Sequence, residues 1–457
     1  DSMTIAADPQ GLSDVAPGRL DAATLKANFS DLHPPLSAHE ARVESERCYF
    51  CFDPPCQKAC PTSIDIPLFI RQIAAGNRDG AGKTIFDSNI LGGMCARVCP
   101  TETLCEEACV REAAERKPVA IGLLQRYATD ALIEGGRSPY ARGAPTGKRA
   151  AIVGAGPAGL ACAHALAVAG VESTVFEARG KPGGLNEYGI AAYKTVDDFA
   201  AKEAAFVLSI GGIDPQFGVA LGREVKLADL RRDYDAVFLG VGLGATNKLG
   251  LPKEDELENV VDAVAFIADI RQARDLSTLA VGRRVIVIGG GMTAIDAAVQ
   301  AKRLGAQTVT IVYRRGAERM KASKFERDLA QTSGVVIRTW ARPVSLEGHV
   351  DAFTGAVFED THEHEGVLAS PGSVFRIEAD MLLTAIGQRG AVEALEGEGI
   401  EIEDGRIVVD DERRTSLKGV WAGGDCVLGG EDLTVQAVED GKRAARSILS
   451  TLGVTGA

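Results

Sequence analysis

The chain is expected to fold as an α-helical, cysteine-rich domain followed by two α/β Rossmann-like dinucleotide-binding domains, the second inserted in the first. Three observations predict this. Eight of the ten cysteines fall between Cys48 and Cys109. The succession of strand, glycine-rich turn, helix and strand occurs twice, around Gly154 and around Gly289. A further glycine turn, Gly423-Gly424-Asp425, precedes an amphipathic helix and completes the first of the two units.

At 457 residues the chain can hold about three domains. The expected boundaries are residues 1–145 for the helical domain, 146–244 with 386–457 for the first dinucleotide-binding domain, and 245–385 for the second. A net charge of −13 argues against nucleic acid or an anionic membrane as the main partner. No run approaches about 18 uninterrupted apolar residues, so no membrane span is expected. With no N-terminal apolar stretch of the signal-peptide kind, the expected location is cytoplasmic.

The cysteines run Cys48-x2-Cys51-x4-Cys56-x3-Cys60-Pro61, then Cys95-x3-Cys99-Pro100-x4-Cys105-x3-Cys109. Such spacings turn several thiolates towards one point, and a Cys-Pro ending resembles ferredoxin runs whose last cysteine serves a second cluster. A disulfide framework suits small secreted domains better than a chain of this size. Structural zinc uses similarly paired cysteines, so spacing leaves it open beside iron–sulfur clusters.

The first thirty or so residues, rich in Ala, Asp and Ser, show no sustained period and read as a mobile arm or a partner-binding strap. From Ala38 to about Gly136 the chain reads as helices joined by cysteine-bearing loops. Asp65 caps a helix that carries Ile66, Phe69, Ile70 and Ile73 on one side and ends near Gly76. A later helix has Ile121, Leu124, Ala128 and Ala131 on one face, with Gln125 at its edge. Taken by itself, such a glutamine is a buried polar side chain whose hydrogen bonds are met. Gly135 to Arg149 reads as a linker.

The first dinucleotide unit comprises the strand Arg149–Val153, the turn Gly154-Ala-Gly156-Pro-Ala158-Gly159, a helix to Gly170 and the strand Ser173–Glu177. Its glycines permit a tight turn, a close approach of backbone to pyrophosphate and close helix–strand packing. Glu177, at the end of the second strand, is placed to accept ribose hydroxyls. Gly183, Gly184 and Leu185 supply another backbone approach to the cofactor. Near the other end, Gly424 and Asp425 can meet a polyol chain, and Thr434 and Val435 open a helix whose N-terminus can face negative charge on a flavin ring. The cofactor expected here is FAD.

The second unit places Gly289, Gly291, Met292, Thr293 and Ala294 between the strand Arg284–Ile288 and a helix to Gly305. Tyr313 occupies the acidic slot of the following strand, with Arg314, Arg315 and Lys321 beyond it. Guanidinium groups there suit a 2′-phosphate, whereas the bland alternative is a solvated strand end. The expected nucleotide is NAD(P)H. Gly240-Val-Gly242 and Ala385-Ile-Gly387 mark the chain reversals that bound this unit.

Flavoproteins of this architecture that reduce disulfides carry a redox cysteine pair, and none is evident. Cys162 lies within a helix and Cys426 follows Asp425, each as a packed small residue. The electrons of a flavin then need another acceptor, and the cysteine module is the one in view. Zinc cannot accept electrons, so the balance moves to iron–sulfur clusters.

Arg47-Cys48-Tyr-Phe-Cys51-Phe-Asp-Pro-Pro-Cys56-Gln-Lys-Ala-Cys60-Pro-Thr-Ser-Ile-Asp-Ile, with Asn89-Ile-Leu-Gly-Gly-Met-Cys95-Ala-Arg-Val-Cys99-Pro, resembles the dihydropyrimidine dehydrogenase family. The resemblance covers nearly the whole chain and is to the bacterial small subunit and the electron-input half of the eukaryotic enzyme. More distantly the chain is similar to glutamate synthase small subunits. The resemblance implies one [4Fe-4S] cluster on Cys48, Cys51, Cys56 and Cys109, and a second on Cys60, Cys99, Cys105 and Gln125. Cys95 is then a bystander, against a plain count of eight cysteines that would put it in place of Gln125. The resemblance also implies an FMN-containing large subunit as partner, in a heterotetramer, which reduces uracil or thymine. No side chain is expected as an acid or base catalyst, because the cofactors carry the chemistry. Two other readings stand beside this one: an oxidoreductase that feeds glutamate synthase or a ferredoxin, and a flavoprotein with a structural zinc docking module.

Overall fold

The computed structural model describes residues 14–390 and 392–454, which form two compact units. One contains the described residues before Asp31, Tyr188–Tyr193 and Thr246–Gly387; the other contains Asp31–Glu187, Lys194–Ala245 and the described residues from Gln388 onward. Among the described residues no helix is long and apolar enough to cross a membrane.

In the larger unit the cysteine-bearing segment is a set of short helices. Asp65 accepts the Leu68 N–H at 3.0 Å and opens the helix Ile66–Ala74, whose Ile66, Phe69, Ile70 and Ile73 are buried. Each such side chain contributes about 1.5–3 kcal/mol by leaving water. They pack against Ile121, Leu124 and Ala128 of the helix Ile121–Glu134. That helix is buried on more than the one expected face, because Gln125, Arg126, Thr129 and Asp130 are also inside, while Ala131 is only half-buried.

The same unit contains a five-stranded parallel sheet in the order Val420–Ala422, Ala236–Leu239, Arg149–Val153, Glu172–Glu177, Ile213–Phe217. Side chains alternate along Arg149–Val153, so Ala150 and Ile152 face the helices Pro157–Val168 and Thr434–Leu452, while Ala151 and Val153 face Leu227 and Leu230. Phe86, Leu91 and Met94 of the cysteine-rich region share a third core with Leu160, Phe199 and Val438. The helical region and the flavin-type sheet are thus one packed body. The expected linker is pinned to it, with Gly143 N–H bonded to Ala167 O and Thr146 N–H to Gly170 O, both at 3.0 Å.

The smaller unit has a five-stranded parallel sheet, Val336–Arg338, Thr308–Val312, Arg284–Gly289, Met381–Ala385, Val260–Asp262. An antiparallel sheet of Ala341–His349, Ala352–Asp360 and Val374–Glu378 stands beside it, a feature the sequence reading did not anticipate. The assignment of the first residues to the helical domain needs correction. Val15–Ala16 pairs antiparallel with Val281–Gly282, and Asn28 exchanges hydrogen bonds with Arg303 at 2.8 and 2.9 Å. A two-residue strand and a reciprocal side-chain clasp leave no periodic signal. Residues 1–13 of the expected arm lie outside the described residues.

Candidate cofactor sites

The cysteines separate into two groups. Cys48, Cys51, Cys56 and Cys109 line one cavity, walled by Pro55, Ile66, Ile70 and Ile121. Cys60, Cys99, Cys105 and Gln125 line a second, and Cys95 is on the same wall. Five candidate donors therefore surround the second cavity, and the structure does not set Cys95 apart from it. Gln125 is buried, and its Nε2 donates to Gly92 O at 2.7 Å, which leaves Oε1 as its free ligand atom.

The donor sets of the two cavities, four thiols in one and thiols with an amide in the other, fit an iron–sulfur cluster chemically. Among the described residues no group of three Cys, His, Asp or Glu side chains is placed to hold a single metal ion. A [4Fe-4S] cube, with its ligand sulfurs spread around it, is the group such a ring accommodates. Burial pushes the Cys56 thiol up to about 12, and burial likewise raises Cys105. A hydrogen bond to Cys95 and burial raise Cys99. Thiolates at these positions need a bound cation to hold them deprotonated.

Three polar groups that sequence reasoning missed hold the second cavity together. Glu203 is fully buried and accepts the N–H groups of Gly93 at 2.7 Å and Met94 at 3.1 Å, at the start of the helix Gly92–Val98 that carries Cys95. Burial pushes its carboxyl up to about 8 despite those bonds and the nearby Arg97. Arg97 makes two 2.9 Å bonds to Asp130 and lies over the Phe199 ring. Asp130 sits on the helix of Gln125, so this ion pair ties together the two helices that flank the cavity. No local pattern marks these residues, since Glu203 meets Gly93 and Met94, and Arg97 meets Asp130, across long stretches of sequence.

At the flavin-type sheet, the turn Gly154–Gly159 joins the strand to the helix Pro157–Val168. A Cβ on Gly159 would collide with the Gly154 carbonyl oxygen, so this glycine is required by packing. Gly156 instead faces open space, with only the Gly184 Cα within 4 Å of an added Cβ, which is the room a phosphate needs. Glu177 is buried; its carboxylate accepts Ala155 N–H and Arg179 N–H, each at 2.8 Å, and keeps acceptor capacity for a ribose hydroxyl. Gly183 N–H bonds Ala155 O at 2.8 Å, which brings Gly184 and half-buried Leu185 beside the turn, while Ala158 opens the helix.

Gly424 N–H bonds Asp440 at 2.9 Å. Burial and then Asp432 push the Asp425 carboxyl up to about 7, so it can donate as well as accept. The helix Thr434–Leu452 begins without a side-chain cap, so its first N–H groups are open to a ligand. Thr434 Oγ1 bonds Asn186 Oδ1 at 2.7 Å, and Val435 is on the wall of the second cysteine cavity.

In the smaller unit Gly289 ends the strand and Met292, Thr293 and Ala294 begin the helix Met292–Arg303. Nothing lies within 4 Å of an added Cβ on Gly291. Tyr313 packs its ring over Gly290 and donates its hydroxyl to Arg319 O at 2.8 Å. Arg314 and Lys321 are exposed. Arg315 lies 3.4 Å from Glu363, which also pairs with Arg319 at 3.0 Å. Sequence reading missed Glu363, because it reaches this corner from the distant hairpin His362–His364 and Val367–Ala369. Gly387 accepts the Asn247 N–H at 3.0 Å with φ +100°.

Residues 148–441 match the family described as pyridine nucleotide-disulphide oxidoreductase. The chain belongs to this family. Residues 25–137 of the oxidoreductase match a second family, described as dihydropyrimidine dehydrogenase domain II, 4Fe-4S cluster. It is 34% identical to the NADPH glutamate synthase small chain of Escherichia coli K12, over 97% of this chain and 98% of that one. It is also 34% identical to the NAD-dependent dihydropyrimidine dehydrogenase subunit PreT of Salmonella typhimurium LT2, over 92% and 96%. The putative oxidoreductase AegA of E. coli K12 is 36% identical over 96% of this chain and 70% of its own. Among solved structures, Mycobacterium tuberculosis FprA has the same fold, with a TM-score of 0.56 at 20% identity over 67% of this chain and 85% of its own.

This oxidoreductase therefore uses FAD and NAD(P)H and carries [4Fe-4S] chemistry. The disulfide of the family's title has no counterpart in its two remaining thiols. Cys162 packs on the Ile152 face of the sheet and Cys426 on the Val153 face, so the sheet separates them. Burial raises both thiols, Cys426 to about 11.

Proposed function

We propose that the chain is the electron-input subunit of a dihydropyrimidine dehydrogenase, oxidising NAD(P)H at FAD and delivering electrons through two [4Fe-4S] clusters to an FMN-containing subunit that reduces uracil or thymine. One observation carries the reading. Thr434 is bonded to Asn186 beside the flavin-site glycines, while its neighbour Val435 walls the second cysteine cavity. A two-electron site and a one-electron site are joined by adjacent residues of one helix. The match of residues 25–137 and the 96% coverage of PreT support the pyrimidine branch.

FAD supplies the conversion of a hydride into single electrons, which no side chain here can perform. For FAD the reading assigns Gly154, Gly156, Ala158, Gly159, Glu177, Gly183, Gly184, Leu185, Gly424, Asp425, Thr434 and Val435. For the nucleotide it assigns Gly289 and Gly291 to Ala294, with Arg314, Arg315 and Lys321 for a 2′-phosphate and Gly387 at the exit. Cys48, Cys51, Cys56 and Cys109 hold the first cluster, and Cys60, Cys99, Cys105 and Gln125 the second. The nucleotide domain, 245–385, interrupts the flavin domain, 146–244 with 386–457, a reading supported by the parallel pairing of Val420–Ala422 with Ala236–Leu239. The assembly is a heterotetramer with the FMN subunit.

The test combines purified chain with that subunit. NAD(P)H-driven uracil reduction should need both, and the chain should hold about eight irons. A second reading, the glutamate synthase small chain, is favoured by the 98% coverage of that relative. Coupling to a glutamate synthase large subunit, with none to the pyrimidine-reducing one, would replace the first reading by the second.

A further inference from the structure

Asn89 follows the helix Arg78–Ser88 and is completely buried on the wall of the second cavity, in the company of Cys60, Cys95, Cys99 and Cys105. Its backbone is fully engaged: the N–H bonds Ile85 O at 2.8 Å and the carbonyl accepts Gly92 N–H at 2.9 Å. Its side-chain Oδ1 accepts the Leu91 N–H at 3.0 Å. That bond fixes which way the amide faces, because a flipped amide would set donor against donor. The Nδ2 group left over has no hydrogen-bond partner in the protein.

A buried amide NH₂ without a partner is an exception among native proteins and calls for an acceptor. The other amide on this wall differs, since the Gln125 Nε2 is already bonded to Gly92 O. Four cysteines line the cavity with Asn89, and a cluster held there would add sulfide acceptors.

We propose that Asn89 Nδ2 donates an N–H···S hydrogen bond to the cluster in the second cavity and raises its reduction potential. The inference rests on the reading that a [4Fe-4S] cluster occupies this cavity. Reduction adds one negative charge to the cluster, and a donor aimed at its sulfur stabilises the reduced form more than the oxidised one. Asn89 is a tuning residue: it is not needed as a ligand, and its loss alters how readily this centre accepts an electron.

The experiment uses the full chain with Asn89→Asp, which keeps the acceptor for Leu91 N–H, and Asn89→Leu, which carries no charge. In both, the ratio of reduced to oxidised second cluster at fixed potential should fall about fivefold, equivalent to about 40 mV at 59 mV per tenfold. The first cluster should keep its potential, and iron and FAD contents should stay at the wild-type level. Pulsed EPR of reduced wild-type protein containing asparagine labelled with ¹⁵N in the side chain should show a ¹⁵N coupling to the second cluster, a signature that merely structural packing would not produce. Two loaded clusters with potentials unmoved in both variants would overturn the proposal. So would the absence of the ¹⁵N coupling in wild-type protein, a measurement that stands even if the variants fail to fold. Iron and sulfide for one cluster only, or zinc in the second cavity, would instead remove the reading on which the proposal rests.

Discussion

Replacing Asp130 with alanine should loosen the second cavity more than any change of a cysteine-free surface. In the wild type the Asp130 carboxylate takes two 2.9 Å bonds from Arg97 and lies 3.4 Å from Arg126, with the Arg97 and Asp130 side chains only 4% and 8% exposed. Without it Arg126 retains Asp31 at 2.7 Å, whereas Arg97 loses its direct carboxylate partner and keeps the Gly93 carbonyl at 3.0 Å, the Phe199 ring and the nearby Glu203, whose own ionisation burial opposes. Removing one partner of a buried pair costs about 3–5 kcal/mol, chiefly because the other charge is left unpaired. Urea unfolding of the holoprotein, followed through the visible absorption of the clusters, reads this directly. At an m-value of about 2 kcal/mol/M the midpoint should fall by about 1.5–2.5 M. The double change Arg97→Met with Asp130→Leu should recover most of the loss, since it removes both charges together. Salt should have little effect, because the pair is shielded from solvent. A midpoint shift in Asp130→Ala below about 0.5 M, or a double variant no better than the single one, would refute the clamp.

Other outcomes follow from the same geometry. Glu203 has a folded pKa raised from 4.5 to about 8, so between those values the native state keeps a proton that the unfolded chain has lost. Stability should therefore decline as pH rises across that window, by about 1.4 kcal/mol per pH unit at most, and Glu203→Gln should flatten the slope of urea midpoint against pH. Equal slopes in both proteins would count against it. Arg314→Glu should raise the KM for NADPH relative to NADH by about 10- to 100-fold, the scale of a charge-assisted hydrogen bond lost at a 2′-phosphate. An unchanged KM ratio would return Arg314 to the role of a solvated strand end. Gly159→Ala, whose new methyl would meet the Gly154 carbonyl oxygen, should yield protein depleted of FAD by absorption spectroscopy, and a full complement would refute the packing argument.

Much of the local architecture was legible along the chain because it depends on neighbours in sequence. The strand Arg149–Val153, the cap at Asp65 and the helix after Gly291 each follow from periodicity, capping chemistry or turn glycines, which act over a few residues. The gathering of Cys48, Cys51 and Cys56 is local in the same way, although Cys109 must come from far along the chain. Apolar patterning did less well for the helix Ile121–Glu134, where Arg126 and Asp130 are buried because their charges meet distant partners. Polar residues in a helix normally signal solvent, and only a partner brought close by folding reverses that sign.

What the sequence determined by itself is therefore the inventory: two glycine turns built for dinucleotides, a cysteine module, and no dithiol in the family's usual places. Tertiary structure decided how that inventory is wired. It set Cys95 beside Gln125 on one wall, put Val435 on that same wall one residue from Thr434, and left the side-chain NH₂ of Asn89 buried without a partner beside four cysteines. It also moved Val15–Asn28 to the nucleotide unit through contacts more than 250 residues apart in sequence. The physical reason is the same in each case. Spacing constrains residues that share a turn, whereas cavities, buried ion pairs and edge-strand pairing exist only after distant segments have packed.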